Sequence, residues 1–457
     1  MKKGYIIFAV VSLLLGIYCC ADGTPSAADG NSNAQISGVI ENGGCLDCHT
    51  AEPKLPFYAN IPVAGDVVKE DIANGYRSFD IQPLYDAAKN GTKAAEVDLA
   101  KVEKVFADGT MPPAKYYMVH WGSYPGAKKS AAMQEWAKQH RAKYYPNKLA
   151  AAEFANETVR PIEDAVETNP LKVALGEMLY HDTRLSVDNT VSCATCHGLN
   201  TGGVDNKQFS EGVKGLKGGV NAPTVFNAHY NFVQFWDGRA ATLAAQAAGP
   251  PLNPVEMASS SFDEICAKLK ADAAFDKAFT AVYPEGITEQ TITDAIQEFE
   301  RTLLTPDSPF DLYLKGDKNA VGDDVIEGYS LFKQFSCATC HAGENLGGLS
   351  YELMGLRADY FGDRGTELTT EDNGRNKETK LERDIHRFKV PGLRNVALTA
   401  PYFHDGTQAT LEDAVKAMGK YESGVELDDA QVAKMVSFLK SLTGKYKGVT
   451  LTNDNLK

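Results

Sequence analysis

Strand signals are scarce in this sequence, with few of the alternating, β-branched runs that build sheets. A sheet-based core is therefore excluded as the main architecture, and helices must supply it. The chain also lacks an excess of basic residues. Lys and Arg number 46 against 60 Asp and Glu, giving a formal charge of −14. That balance gives no support to nucleic-acid binding and favours a cationic or neutral partner. No apolar run is long enough for a membrane span; the N-terminal run from Tyr5 to Tyr18 falls short. Cysteine is sparse outside one repeated pattern. Of the nine cysteines, Cys19 and Cys20 close the N-terminal apolar run and Cys266 stands alone. Cys266 shares an apolar helical face with Phe262, Ile265 and Leu269, which suits a buried small hydrophobe. With 457 residues, 43% of them hydrophobic and 23% charged, the chain can hold two or three ordinary domains.

The other six cysteines form three Cys-x-x-Cys-His motifs: Cys45–Cys48–His49, Cys193–Cys196–His197 and Cys337–Cys340–His341. Two cysteines three apart lie on one helical turn, where each can form a thioether to a haem vinyl group. The following histidine then ligates the iron. Three such pentapeptides predict three covalently bound haems c. The middle motif differs from its neighbours because the chain after it offers no persuasive second iron ligand. A haem with one open face does chemistry, whereas one with both faces filled carries electrons.

Met1-Lys2-Lys3 followed by the apolar run has the proportions of an export signal over residues 1–20. Cys20 before a polar tract suggests a lipoprotein anchor, and haem c attachment is extracytoplasmic, so a periplasmic, lipid-anchored protein is expected. Residues 21–40 read as a flexible linker, and 41–148 as a first haem domain. Within it, Val97, Leu99, Val102, Val105 and Phe106 recur at helical spacing, and Met133, Trp136, His140 and Tyr144 share a second helical face. Between these helices, Met111 precedes two prolines that hold the backbone extended, making its thioether the expected second ligand of the first haem; His120 is the rival. A charged stretch from Tyr145 to Arg160 links to a second domain, 160–306. There Asn169-Pro170 opens a helix expected to bury Leu171, Ala174, Leu175, Met178 and Leu179. The third domain, 307–457, contains a charged, glycine-containing stretch from Met354 to Asp384 that reads as a surface excursion. The fold expected is mainly α: three cytochrome c-like haem domains in tandem, with long loops and little β structure.

From about residue 170 to 445 the chain resembles the bacterial di-haem cytochrome c peroxidases, a family that includes the MauG-type enzymes. The resemblance is carried by Ser192–His197, Thr201–Asp205, Asn221–Asn227, Gln234–Ala240, Pro254–Met257, Phe388–Asn395 and Thr399–Gly406. The added N-terminal domain resembles the small haem-binding domains with a Met-Pro-Pro ending, and thus the tri-haem branch of that family. The resemblance implies reduction of hydrogen peroxide at the middle haem. It assigns Glu256 and Gln246 to the open face, and Met418 as the second ligand of the His341 haem. Spacing alone leaves Met435 an equal candidate for that ligand and would call Met418 core. A carboxylate near the iron can accept and return a proton during peroxide cleavage, and a thioether ligand raises the potential of an electron store. Met257 is taken as packing. The resemblance further implies one Ca²⁺, held by the Asn221 side chain and the Thr399 and Pro401 carbonyls, all oxygen donors. It places Trp236 between the haems and makes Arg239 and Arg394 candidates for pairing with haem propionates.

In one respect the chain departs from many relatives. Val213 stands in the glycine-rich loop where they carry a histidine that closes the resting site. The expectation is a peroxidatic site open without prior reduction. The electron donor is expected to be a small cytochrome c, a cupredoxin or a quinol. Family members often dimerise, though no residue here marks a dimer surface. The rival readings are a MauG-like oxidase acting on a protein substrate and a non-enzymatic tri-haem electron carrier.

Overall fold

The computed structural model describes residues 32–456 except 54, 63, 118, 119, 121 and 122. The export signal and Cys20 lie outside the described residues. The chain forms two compact units, Met1–Asn147 and Lys148–Lys457. Among the described residues, sheet is confined to two short antiparallel pairs, Tyr351–Leu353 with Arg387–Lys389 and Lys445–Tyr446 with Val449–Thr450.

In the first unit, helix Ser32–Asn42 packs with helices Gln82–Asn90 and Gly126–Tyr144, and the latter also with helix Glu96–Asp108. Ile36, Val39 and Ile40 are buried with Leu84, Leu99, Val102, Met133 and Trp136. The linker expected over 21–40 is therefore corrected from residue 32 onward: an i, i+3, i+4 apolar triplet folds it into the core. Arg141 joins Glu96 and Glu103 in a buried ion cluster.

The second unit is built from two helix crossings of one design. Helix Pro170–Tyr180 starts at Asn169, whose side chain accepts from the Leu171 and Lys172 amides. It lies against helix Glu289–Glu300, which opens on a Thr288/Thr291 capping box. A Cβ on Gly176 would fall 1.9 Å from the Ala295 carbonyl oxygen and 2.7 Å from the Phe299 Cβ. Helix Asp323–Gln334 crosses helix Asp429–Lys440 in the same way, with a Cβ on Gly328 falling 2.0 Å from the Lys434 oxygen and 3.0 Å from the Phe438 Cβ. Only glycine lets the backbones approach this closely. Each crossing stands behind one haem motif.

The crossing also explains which face is buried. Leu175, Gly176, Leu179 and Tyr180 turn inward, whereas Leu171 and Met178 are 64% and 51% exposed and Ala174 is exposed, contrary to expectation. The contact at Gly176 selects one of two overlapping apolar stripes. The expected boundaries also shift. Residues 148–160 are not a free link: Ala151 N–H donates to the Leu314 carbonyl, Gly343 N–H to Thr158, and Arg160 pairs with Glu344. The halves expected as 160–306 and 307–457 belong to one compact unit. Finally, the stretch from Met354 to Asp384 is not merely surface. Tyr360, Phe361, Asp372 and Asp384 are buried, and the two aromatics pack with Phe388.

Candidate functional site

Each haem motif forms a single helical turn, with the histidine N–H donating to the carbonyl of the first cysteine at 2.9–3.0 Å. The turns are positioned differently. Gly44 and Ser336 enter theirs in the left-handed region, φ 72° and 67°. Ser192 enters in extended form and shares a capping box with Thr195. Behind the middle motif, the Tyr180 hydroxyl donates to the His197 carbonyl at 2.5 Å.

The three imidazoles are oriented alike. Nδ1 of His49 lies 3.0 Å from the Phe79 carbonyl, that of His197 3.3 Å from Gly203, and that of His341 3.0 Å from Leu346. A carbonyl only accepts, so Nδ1 carries the proton and the Nε2 lone pair is available to a metal. Burial lowers the proton affinity of all three rings, keeping them neutral. None of the six motif cysteines is paired in a disulfide. Burial pushes Cys45 and Cys337 up to about 12 and Cys48 and Cys196 to about 11, with Cys193 also raised. Paired, unbridged sulfurs beside an Nε2 donor fit a c-type haem, which holds its protein by two thioethers and an imidazole.

The second-ligand candidates differ in setting. Met111 is 38% exposed. His120 has both ring nitrogens engaged, Nε2 with the Tyr58 hydroxyl at 2.5 Å and Nδ1 with the Tyr116 carbonyl at 3.0 Å. It stacks on Tyr116, whose hydroxyl donates to Asp47 inside the first motif. In the third-motif half, Met435 is 4% exposed within the core of Val432, Val436 and Phe438. Met418 lies outside that core, partly exposed, at the end of helix Leu411–Met418 where the chain enters a π-helical turn, Gly419–Ser423. Packing thus separates two methionines that spacing leaves equal.

Around the middle motif, Gln246 sits half-buried on the short helix Leu243–Ala247, capped by Thr242 and tied to the closing helix through Ala244 N–H and Gln297. Glu256 follows in a tight turn where Asn253 Nδ2 donates to its Oε1 at 2.6 Å. Ala247, Met257 and Val213 share one core cluster, with Cys193 at its margin. Burial raises the Glu256 carboxyl, opposed by the nearby Arg239 guanidinium and the Asn253 amide. The loop carrying Val213 lies directly on this turn: Val213 N–H donates to the Glu256 carbonyl at 2.8 Å. A Cβ on Gly212 would meet that same oxygen at 2.3 Å.

Between the two motif-bearing halves, Trp236 Nε1 donates to the Asn221 carbonyl and its own carbonyl accepts from Lys389 N–H, at 2.9 and 2.8 Å. Asn221 N–H donates to the His404 carbonyl at 2.8 Å, which brings Asn221 to the segment carrying Thr399 and Pro401. The Asn221 amide nitrogen donates to the Lys207 carbonyl, leaving Oδ1 for a cation. Sequence reasoning missed the network behind this seam. Arg364 donates to Asp372 and Asp405 at 2.7 and 2.9 Å, Tyr360 to Asp405, and His404 Nε2 to Asp372 at 2.8 Å. Asp372, His404 and Asp405 are close enough to hold a metal ion, but Arg364 already bridges the two carboxylates with positive charge. The signal for this network lies in Tyr402-Phe-His-Asp405, where polar residues interrupt aromatics. The two arginines expected to meet propionates are engaged elsewhere. Arg394 is fully buried on Asp311 and three further acceptors, and Arg239 pairs with Asp237 while lying 3.5 Å over the Phe235 ring.

The chain is similar to known haem proteins. Residues 170–319 match the di-haem cytochrome c peroxidase family, 20–139 a haem-binding domain and 325–443 cytochrome c. The chain is 50% identical over 417 residues to a cytochrome c peroxidase of Escherichia coli K12, spanning 91% of this chain and 89% of that one. It is 47% identical over 292 residues to the cytochrome c551 peroxidase of Nitrosomonas europaea, spanning 64% and 85%. Among solved structures, a MauG-like protein associated with microbial copper homeostasis superposes with a TM-score of 0.55 at 28% identity, covering 61% of this chain and 91% of that one. The chain belongs to the di-haem cytochrome c peroxidase and MauG family. It is an oxidoreductase with covalently bound c-type haem that acts on hydrogen peroxide with electrons from a cytochrome-type donor.

Proposed function

We propose that the Cys193–His197 motif holds the haem at which H₂O₂ + 2 e⁻ + 2 H⁺ → 2 H₂O takes place. Cys337, Cys340, His341 and Met418 would hold a haem that supplies electron storage, and Cys45, Cys48, His49 and Met111 one that supplies entry for the donor's electrons. When bound, these three haems supply the iron that meets peroxide and the centres that store electrons. Everything else falls to the chain. The observation that carries the assignment is Glu256: Asn253 fixes Oε1, so Oε2 is the oxygen that takes a proton and returns it, and burial strengthens its hold on that proton. Gln246 orients the peroxide by hydrogen bonding. A calcium ion on Asn221, Thr399 and Pro401 fastens the seam at Trp236. The acidic chain favours a cationic or neutral donor, and the N-terminal leader supports export to the periplasm with a lipid at Cys20.

Glu256→Gln should lower peroxide turnover by about 10²–10⁴-fold with haem content unchanged, measured with a reduced small cytochrome. Near-normal turnover would remove Glu256 from the mechanism. Val213 supports a site open at rest, because its side chain is 1% exposed in the core and provides no ligand. The fully ferric protein should then give a high-spin EPR signal; low-spin signals alone would refute the open site.

A further inference from the structure

Buried cations in this protein are matched, with one exception among the described residues. Arg141 meets Glu96 and Glu103, Arg160 meets Glu344, and Arg394 meets Asp311. Lys129 donates to the Tyr124 carbonyl at 3.0 Å. Lys389 is 4% exposed, yet its ammonium has no carboxylate and no hydrogen-bond acceptor. Taking an unpaired ammonium out of water costs several kcal/mol, so a fold that encloses one needs an anion brought against it. Burial lowers the Lys389 ammonium to about 8, and an anion against it would raise it again.

The backbone fixes where that anion must lie. Lys389 stands opposite Tyr351 in the strand pair, and its N–H donates to the Trp236 carbonyl. Two residues further on, the Pro391 carbonyl faces the His341 ring. On the partner strand, the Ser350 carbonyl accepts from Val390 N–H at 3.0 Å, which extends the pairing one residue beyond Lys389. Lys389 thus lies two residues before the carbonyl that faces the third motif's histidine. The anion that joins this chain without belonging to its sequence is the haem, through its propionate carboxylates. Arg239 and Arg394 already pair with Asp237 and Asp311, whereas Lys389 has no such partner.

We propose that Lys389 anchors a propionate of the haem held by Cys337, Cys340 and His341. The assignment rests on that motif carrying haem. The anchored charge pair keeps a cation beside the centre that stores an electron, and so favours its ferrous form. The test is spectroelectrochemical titration of Lys389→Met and Lys389→Arg, with haem content from the pyridine haemochrome and the mass of the 337–341 peptide. In Lys389→Met the midpoint of this haem should shift downward, because ferric iron loses a neighbouring repulsion; Lys389→Arg should restore most of the shift. An unchanged midpoint in fully loaded Lys389→Met overturns the anchor alone. A haem-free 337–341 peptide in the unaltered protein overturns both the anchor and the reading beneath it. A crystal structure of the haem-loaded, unaltered protein gives a second measurement that needs no variant to fold. Lys389 Nζ within hydrogen-bond distance of a propionate oxygen supports the assignment, and Nζ on water or a chain group overturns it.

Discussion

The halves carrying the second and third motifs use the same frame for different ends. In each, a glycine lets the helix before the motif lie against a closing helix, Gly176 on Ala295 and Phe299, Gly328 on Lys434 and Phe438. In each, the motif histidine points Nδ1 at a loop carbonyl. The halves diverge beyond the histidine. One presents Glu256 held by Asn253, the other a partly exposed Met418 at a π-helical turn. π-helical turns of this kind are frequent at functional sites. On the proposed assignment, a shared scaffold with different second-face residues separates chemistry from storage, because whether the iron keeps an open position decides what the haem can do.

The strongest way to break this contrast is to give the third half an open face. Met418→Leu should convert its haem from low to high spin and remove most donor-driven turnover, since the stored electron loses its high-potential site. Met435→Leu, a core change of similar volume, should cost less than about 1.5 kcal/mol and leave the spectrum alone. EPR and turnover of the two variants decide between the methionines. Equal spectral effects would show that packing does not discriminate the ligand.

A second contrast lies in the closing helices. Matching Phe299 to Phe438 across the two crossings sets Glu300 against Leu439. Glu300 is buried with Oε2 unpaired, and burial raises it to about 8; Leu439 is ordinary core. The folded state therefore keeps a proton on Glu300 that the unfolded chain releases near 4.5. Its contribution to stability is present below the unfolded pKa and is lost as pH rises toward the folded one, at roughly 1.4 kcal/mol per pH unit. Glu300→Leu should make the protein more stable than the parent by ~4 kcal/mol at pH 8, with the margin shrinking as pH falls to 4.5. Denaturant unfolding at the two pH values measures it, and a margin independent of pH would mean that Glu300 does not carry the proton.

The sequence announced the haem anchors openly, because covalent attachment demands fixed residue types at fixed spacing. Helix placement was legible from apolar periodicity, as at Val97–Phe106, but periodicity did not reveal which stripe of Pro170–Tyr180 would be buried. That depended on Gly176 meeting a distant carbonyl. Met418 and Met435 were inseparable by spacing for the same reason, since only the packed core tells them apart. Lys389 and Asp372 were missed because isolated charges in a strand or a charged loop read as solvent-facing. Their burial follows from contacts that chain order does not display.

The smallest effect tests how finely the open face is tuned. Burial raises Glu256, while Arg239 and Asn253 hold it down. Arg239 is 40% exposed at its side chain, so solvent screens its influence and less than about one pH unit is at stake. Glu256 must be ionised to accept a proton, and turnover therefore declines as pH falls through its folded pKa. Removing the neighbouring cation raises that pKa, so in Arg239→Ala the acid limb should move to higher pH. Arg239→Lys should keep most of the parent profile, and added salt should move the parent limb toward that of the alanine variant. The midpoint of the third half's haem should show no matching change. A limb that stays in place would mean that a group other than Glu256 sets the acid side of the profile.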